Sequence, residues 1–94
     1  MADVEWDEAK RLLTVQERGV DFEDAALIFD GEYVEAEDRR RDYGEIRIRA
    51  LGEVEGECFL VVYTWRGTSR HIITAWKVDE DGQRRYRQLL ARRA

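Results

Sequence analysis

The 94-residue sequence contains no proline, one cysteine, one histidine and one methionine. Without proline, glycine is left to interrupt regular structure, and seven glycines divide the chain into short elements. The lone Cys58 cannot form an internal disulfide, which favours a reducing compartment. Because it begins the apolar run at residues 58–63, we interpret it as a small buried hydrophobic residue rather than a nucleophilic thiol.

Other absences exclude whole classes of site. The sequence has no P-loop, no GxGxxG, no paired cysteines and no HExxH motif. One histidine and one cysteine argue against a tetrahedral zinc site. No segment approaches the roughly 18 apolar residues of a membrane span, and the acidic N-terminus lacks a signal-peptide pattern. We therefore expect a cytoplasmic protein with no metal, no cofactor and no membrane association.

The length and composition predict one domain over residues 1–94 with a compact core and a densely charged surface, since 44% of residues are hydrophobic and 39% are charged. Charge is uneven along the chain. Residues 1–38 hold 3 basic and 13 acidic side chains (−10), whereas residues 39–94 hold 13 and 8 (+5), which together give −5. Fourteen of the sixteen basic residues are arginine, which suits contact with phosphate or carboxylate. The alternative is a solvated, salt-bridged surface.

The apolar spacing predicts the order β-α-α-β-β-β-β-α, and separate runs of helices and strands indicate an α+β fold. Asp7 and Asp21 are expected to cap two helices, and Gly19 to end the first. Asp79 is expected to cap the C-terminal helix. Strands are predicted at residues 4–6, 33–37, 45–51, 59–65 and 69–76. Short connections indicate that the last four strands form an antiparallel meander with one face packed on helices.

The predicted strands carry cationic and aromatic residues that could handle RNA. Cleavage by 2′-hydroxyl attack needs a group that takes the proton, a group that stabilises phosphate charge and a group that helps the leaving oxygen. Arginine, lysine and imidazole can fill these roles without a metal, and unpaired bases stack on aromatic or guanidinium planes. The candidates are Tyr43, Arg47, Arg49, Trp65, Arg66, Arg70, His71, Trp76 and Lys77. The alternative is structural, with the tryptophans in the core, His71 on a strand and the arginines on a solvated sheet face.

Four blocks of sequence resemble the BrnT family of toxin ribonucleases. They are EWDEAK at 5–10; GVDFEDA at 19–25 with IFD at 28–30; DYGEIR at 42–47; and VVYT at 61–64, RG at 66–67 and IITA at 72–75 with RRY at 84–86. In this order they span nearly the whole chain. The resemblance implies a RelE-like α+β fold, ribonuclease activity that halts translation, and a small antitoxin, BrnA, that neutralises the toxin and supplies DNA binding. It is compatible with a dimer, or with a heterotetramer that includes the antitoxin.

The chain departs from the family pattern at five positions, one of which is His71, where the family commonly has an arginine. The family's Lys-His pair before Gly19 is Glu17-Arg18 here, and its histidine before the DYGE block is Arg41. The family's Ile-Ser-Ala-Arg ends in an arginine that the resemblance assigns to the active site, and Trp76 stands at that position. A tryptophan cannot carry a cation to the phosphate, although Lys77 follows.

Two functional hypotheses result. In the first, the protein is a metal-independent ribonuclease that uses Arg66 and Lys77 for phosphate charge and His71 as acid or base, with RNA bound by Tyr43, Arg47, Arg49, Arg70 and Trp76. In the second, the chain has lost catalysis and acts as an antitoxin-binding module. A third interpretation is an unrelated small α+β domain whose motifs match by chance.

Overall fold

The structure is a computed structural model that describes residues 3–93. It contains helices α1 (Glu8–Arg18), α2 (Phe22–Ala25) and α3 (Glu80–Arg93), a 3₁₀ helix at Ala26–Asp30, and strands β1 (Asp3–Trp6), β2 (Tyr33–Glu37), β3 (Ile48–Val54), β4 (Glu57–Arg66) and β5 (Ser69–Lys77). The predicted α+β class is confirmed, and the helices and strands follow one another in the predicted order apart from one division. The second predicted helix is divided into α2 and the 3₁₀ helix.

The strands form one five-stranded sheet in the order β1-β5-β4-β3-β2. Strands β2 to β5 make the predicted antiparallel meander. The sheet also contains the predicted N-terminal strand β1, which pairs with β5 in parallel at the edge of the meander. Parallel neighbours need a long connection, and here it includes α1, α2 and the first three strands of the meander. This pairing places Glu5 beside His71.

The helix ends follow the predicted capping chemistry. Asp7 Oδ1 accepts a hydrogen bond from Ala9 N at 2.9 Å, and Asp21 Oδ1 accepts one from Glu23 N at 2.9 Å. Gly19 ends α1 with a φ of 66°, a left-handed conformation that glycine adopts without steric cost. The two aspartates and the glycine therefore fix where α1 and α2 begin and where α1 ends.

Strand β3 is displaced from the predicted span of residues 45–51. Glu55 and Gly56 both have positive φ values, 50° and 84°, and form a two-residue turn, so pairing continues as far as Val54 opposite Glu57. At the other end, β3 begins only at Ile48. Residues 45–47 before it lie in a loop, where Ile46 O accepts a hydrogen bond from Thr64 Oγ1 at 2.7 Å. Arg47 therefore lies in the loop before β3, and the prediction that it shares a strand face with Arg49 was wrong.

The main core lies between the sheet and the segment that contains Val20, helix α2 and the 3₁₀ helix. Its buried members are Val20, Phe22, Ala25, Ile28, Phe29, Ala50, Phe59, Val61, Tyr63, Ile72 and Ala75. A bulge allows both Ile72 and Ala75 to face this core, because the register of β5 steps from Thr74 to Ile72 and leaves Ile73 without a partner. Side chains alternate along strands, so Arg49, Val62, Thr64 and His71 project from the opposite side, here called the far face.

Helix α3 begins at Glu80, and Asp79 caps it as predicted, since its Oδ1 accepts a hydrogen bond from Gly82 N at 2.9 Å. Its Tyr86 is buried and donates to Glu32 O at 2.9 Å. Cys58 is fully buried, and burial raises the pKa of its thiol to about 11, which suits an inert core residue. Among residues 3–93, no helix is long and apolar enough to cross a membrane.

Candidate nucleic-acid interface

His71 lies on the far face between two residues that define its surroundings. In the sheet register it stands opposite Thr64 on β4 and opposite Glu5 on β1. Its Nδ1 is 3.5 Å from Glu5 Oε1, and 17% of the His71 side chain is exposed. A carboxylate at one imidazole nitrogen orients the ring and leaves the other nitrogen for proton transfer. Glu5 was not among the sequence candidates, because its position depends on the parallel pairing of β1.

Arg49 projects from the same face on the other side of β4. It stands opposite Val62, two strand spacings from β5 and two residues along β4 from Thr64, so its backbone lies roughly 12 Å from that of His71. Within residues 3–93 its side chain makes no hydrogen bond or ion pair, and its Nε is buried without a partner. A partly buried guanidinium without a counter-ion is costly unless an anion completes it. Arg49 is therefore suited to contact a phosphate that also reaches His71.

The structure separates the two other predicted catalytic cations. Arg66 ends β4 at the turn to β5, opposite Ser69, and is exposed near the His71 end of the sheet. Lys77 ends β5, six residues from His71, which corresponds to roughly 20 Å of strand. Its Nζ is 2.8 Å from Glu57 Oε1. The structure therefore brings Arg66 and His71 to one end of the sheet and leaves Lys77 at the other.

The loop at residues 38–47 is built around a buried carboxylate. The side chain of Asp38 is 1% exposed and accepts hydrogen bonds from Arg40 Nε at 2.9 Å and Nη2 at 2.8 Å. Tyr43 donates its hydroxyl to the same carboxylate at 3.1 Å, and the guanidinium of Arg47 lies 4.1 Å from the centre of the Tyr43 ring. Tyr43 and Arg47 are therefore brought together, beside the end of the sheet that carries Thr64.

Acid is expected to loosen this loop only below the ordinary titration range of aspartate. The Arg40 guanidinium, with the Tyr43 hydroxyl, holds the pKa of Asp38 well below its usual range of about 3.9. A lowered folded-state pKa stabilises the fold above the unfolded value, and this contribution is lost as the pH falls through the folded value. Hydrogen exchange of residues 39–47, corrected for intrinsic rates, should stay constant from pH 7 to 5 and accelerate below pH 4. Asp38→Asn should remove this step; a step near pH 6 would contradict the assignment.

Arg70 faces the core side of the sheet, away from His71. Its guanidinium lies 4.2 Å from the centre of the Phe29 ring and 4.8 Å from that of Trp65, and its Nη2 donates to Tyr33 Oη at 2.9 Å. The Arg70 Nε is buried without a partner. The guanidinium therefore packs among aromatic rings on the core side, and RNA binding by Arg70 stays a prediction.

Trp76 lies on the far face near the end of β5, and a cation from another element covers it. The guanidinium of Arg18, at the end of α1, lies 4.5 Å from the centre of the Trp76 ring. Arg18 Nη1 also donates to Thr74 Oγ1 at 2.6 Å and to Ala75 O at 3.3 Å. Arg18 therefore places a guanidinium beside residue 76, although residue 76 itself is a tryptophan. The sequence candidates did not include Arg18, because 56 residues separate it from Thr74.

Comparison with known protein families shows to which family the chain belongs. A family model described as the ribonuclease toxin BrnT of type II toxin–antitoxin systems matches residues 6–81. The chain belongs to the BrnT family. The fold agrees, since the crystal structure of the Brucella abortus ribonuclease toxin BrnT superposes with a TM-score of 0.63 at 21% sequence identity. That match covers 85% of this chain and 100% of the Brucella chain. A search of curated proteins finds no match.

BrnT membership accounts for the sequence pattern, and it implies an antitoxin protein as partner, since the family is defined within type II toxin–antitoxin systems. At 21% identity, the Brucella structure supports the fold alone. The roles of individual side chains are inferred from the contacts in this chain. Within residues 3–93, no group of three histidine, cysteine or carboxylate side chains converges as metal ligands would. Helix α3 packs over the part of the far face that carries Glu53 and Cys58, as the ion pair between Arg87 and Glu53 indicates. The part around His71 carries the imidazole and the guanidinium groups of Arg49 and Arg66.

Proposed function

We propose that this BrnT-family protein is an endoribonuclease toxin that cuts RNA without a metal ion, halts translation and is neutralised by a BrnA-like antitoxin. The observation that carries the proposal is the family match over residues 6–81. The antitoxin would supply contact with DNA, so this chain would reach DNA only through its partner. The proposed site of action is the cytoplasm.

The far face supports a specific division of roles. His71, oriented by Glu5, takes the proton from a ribose 2′-hydroxyl, and the 2′ oxygen then forms a bond to phosphorus. The bond from phosphorus to the 5′ oxygen breaks, and solvent water protonates that oxygen. Arg49 and Arg66 stabilise the charge that develops on the phosphate. The products are a 2′,3′-cyclic phosphate and a 5′-hydroxyl end. Lys77 is left out of this centre because of its distance and its ion pair with Glu57.

Binding of the surrounding RNA is proposed for the loop and the far face. Tyr43 and Arg47 form a stacked aromatic–guanidinium pair beside Thr64, a type of surface on which unpaired bases stack. Trp76 extends the surface along β5. Arg70 is better explained as a core-side support, as its aromatic neighbours indicate.

Trp76 also motivates a second candidate function, a chain that has kept the fold and its antitoxin-binding surface but has lost catalysis. The discriminating experiment is induced expression of the chain without antitoxin, compared with Trp76→Arg. Growth arrest by the natural sequence supports the toxin. Arrest only by Trp76→Arg supports the binding module. Arrest by neither, with both proteins folded and soluble, would contradict the ribonuclease proposal.

A further inference from the structure

Arg18 is held in place more firmly than an exposed arginine usually is. Two hydrogen bonds from Nη1, to Thr74 Oγ1 and Ala75 O, fix one side of the guanidinium, and the Trp76 indole supports its plane. No ion pair with a carboxylate forms within residues 3–93, and neither Nε nor Nη2 of Arg18 is engaged in a hydrogen bond there. The side chain is thus ordered while three of its five N–H groups remain unused.

Its position results from the way the sheet ends. Pairing between β1 and β5 stops at Ile72, so β5 beyond this point exposes an unpaired edge. Arg18 reaches this edge because Gly19 ends α1 there. The hydrogen bond from Arg18 to Ala75 O is explained by the unpaired edge of β5, whose carbonyl groups need donors. This edge does not account for the indole against the guanidinium. Nor does it explain why Asp21, Asp24, Glu55 and Glu57, which line the same cavity as Arg18, form no ion pair with it within residues 3–93.

The Arg18–Trp76 pair also lies in line with the proposed cleavage centre. Ala75 and Ile72 both face the core, so Thr74, Trp76 and His71 project from the far face. Five residues of strand separate His71 from Trp76, which corresponds to roughly 16 Å. A single strand of RNA that runs along β5 from His71 would therefore reach the pair within a few nucleotides.

We propose that Arg18 and Trp76 form a subsite for one unpaired nucleotide of the RNA, a few nucleotides from the bond that is cut. The base stacks on the guanidinium, whose other side rests on the indole, and the free Nε and Nη2 donate to phosphate or base oxygens. The inference rests on the proposed function for the identity of the ligand. It assigns Trp76 a supporting role in this chain, with Arg18 supplying the cation.

The test measures binding separately from cleavage. A fluorescent single-stranded oligonucleotide with 2′-O-methyl riboses cannot be cut by 2′-hydroxyl attack, and its affinity is measured by anisotropy at fixed salt. Arg18→Ala should weaken binding by about 5- to 150-fold, the change that corresponds to loss of one stacked base. Arg18→Lys should recover only a small part, since it restores the charge without the plane. Trp76→Leu should weaken binding similarly.

Arg85→Ala serves as the charge-matched control, because Arg85 is exposed on α3 and forms no ion pair within residues 3–93. Its affinity should change less than threefold. Equal losses for Arg18→Ala and Arg85→Ala, or full recovery with Arg18→Lys, would overturn the subsite in favour of general charge attraction. Unchanged binding by folded Arg18→Ala, or no binding by the natural chain, would also overturn it. Weakened binding by Arg18→Ala with no cleavage of unmodified RNA by the natural chain would keep the subsite and reject the nuclease.

Discussion

Replacing His71 with asparagine is expected to lower the rate of RNA cleavage by about 100- to 10,000-fold, the usual contribution of a positioned acid–base group. Asparagine approximates the size of imidazole near the backbone but cannot accept the 2′-hydroxyl proton. Of the two residues that flank His71 in the sheet register, Thr64 cannot replace the imidazole, because its hydroxyl is a poor base and already donates to Ile46 O. The measurement is single-turnover cleavage of a labelled RNA, with affinity determined separately.

Lys77→Ala is the informative comparison for His71. The sequence grouped Lys77 with His71, whereas the structure places it at the opposite end of β5 in an ion pair with Glu57. Cleavage by Lys77→Ala should stay within about threefold of the natural protein, because the pair is about half exposed and a surface pair contributes little stability. A large loss for Lys77→Ala together with a small loss for His71→Asn would reverse the assignment.

Arg70→Ala is expected to unfold the protein at a much lower temperature. The guanidinium lies within 6 Å of the ring centres of Phe29, Tyr33, Tyr63 and Trp65, and truncation would leave a cavity among them and remove the donor to Tyr33. Loss of a large packed side chain costs about 2–4 kcal/mol. For a domain of this size, that corresponds to a fall in melting temperature of roughly 10–30 °C. Thermal unfolding followed by circular dichroism measures it.

Arg66→Ala provides the matched control for Arg70, since it removes the same side chain from an exposed position at the end of β4. Its melting temperature should shift by no more than a few degrees. The two variants should also separate function from stability, because Arg66→Ala should slow cleavage while the fold is retained. An Arg70→Ala protein that melts normally but no longer binds RNA would restore Arg70 to the RNA-binding set.

Local signals in the sequence were sufficient for much of the fold. Asp7, Asp21 and Asp79 cap helices as predicted, since capping involves residues only two or three positions apart. The displaced start of β3 shows the limit of such signals. Residues 45–47 alternate as a strand would, but Thr64, from another strand, holds Ile46 O in a loop. Periodicity within one segment does not reveal a contact of this kind.

The candidate site was harder to predict because it depends on register and on long-range packing. Arg70 and His71 are adjacent in sequence, and strand alternation sends one to the core side and the other to the far face. Their different roles follow from this alternation. Glu5 reaches His71 through a parallel pairing that no short motif encodes, and Arg18 reaches Trp76 from a different helix. Residue type alone identified His71, Arg49 and Trp76 as candidates, and tertiary contacts supplied their partners.

The most direct test of the account is cleavage by the purified protein of a defined single-stranded RNA in the presence of EDTA, with analysis of the product ends. The account predicts cleavage that yields 2′,3′-cyclic phosphate and 5′-hydroxyl ends, and that His71→Asn reduces by at least about 100-fold. Intact RNA after incubation with folded protein, cleavage that requires a divalent cation, or equal cleavage by His71→Asn would contradict it.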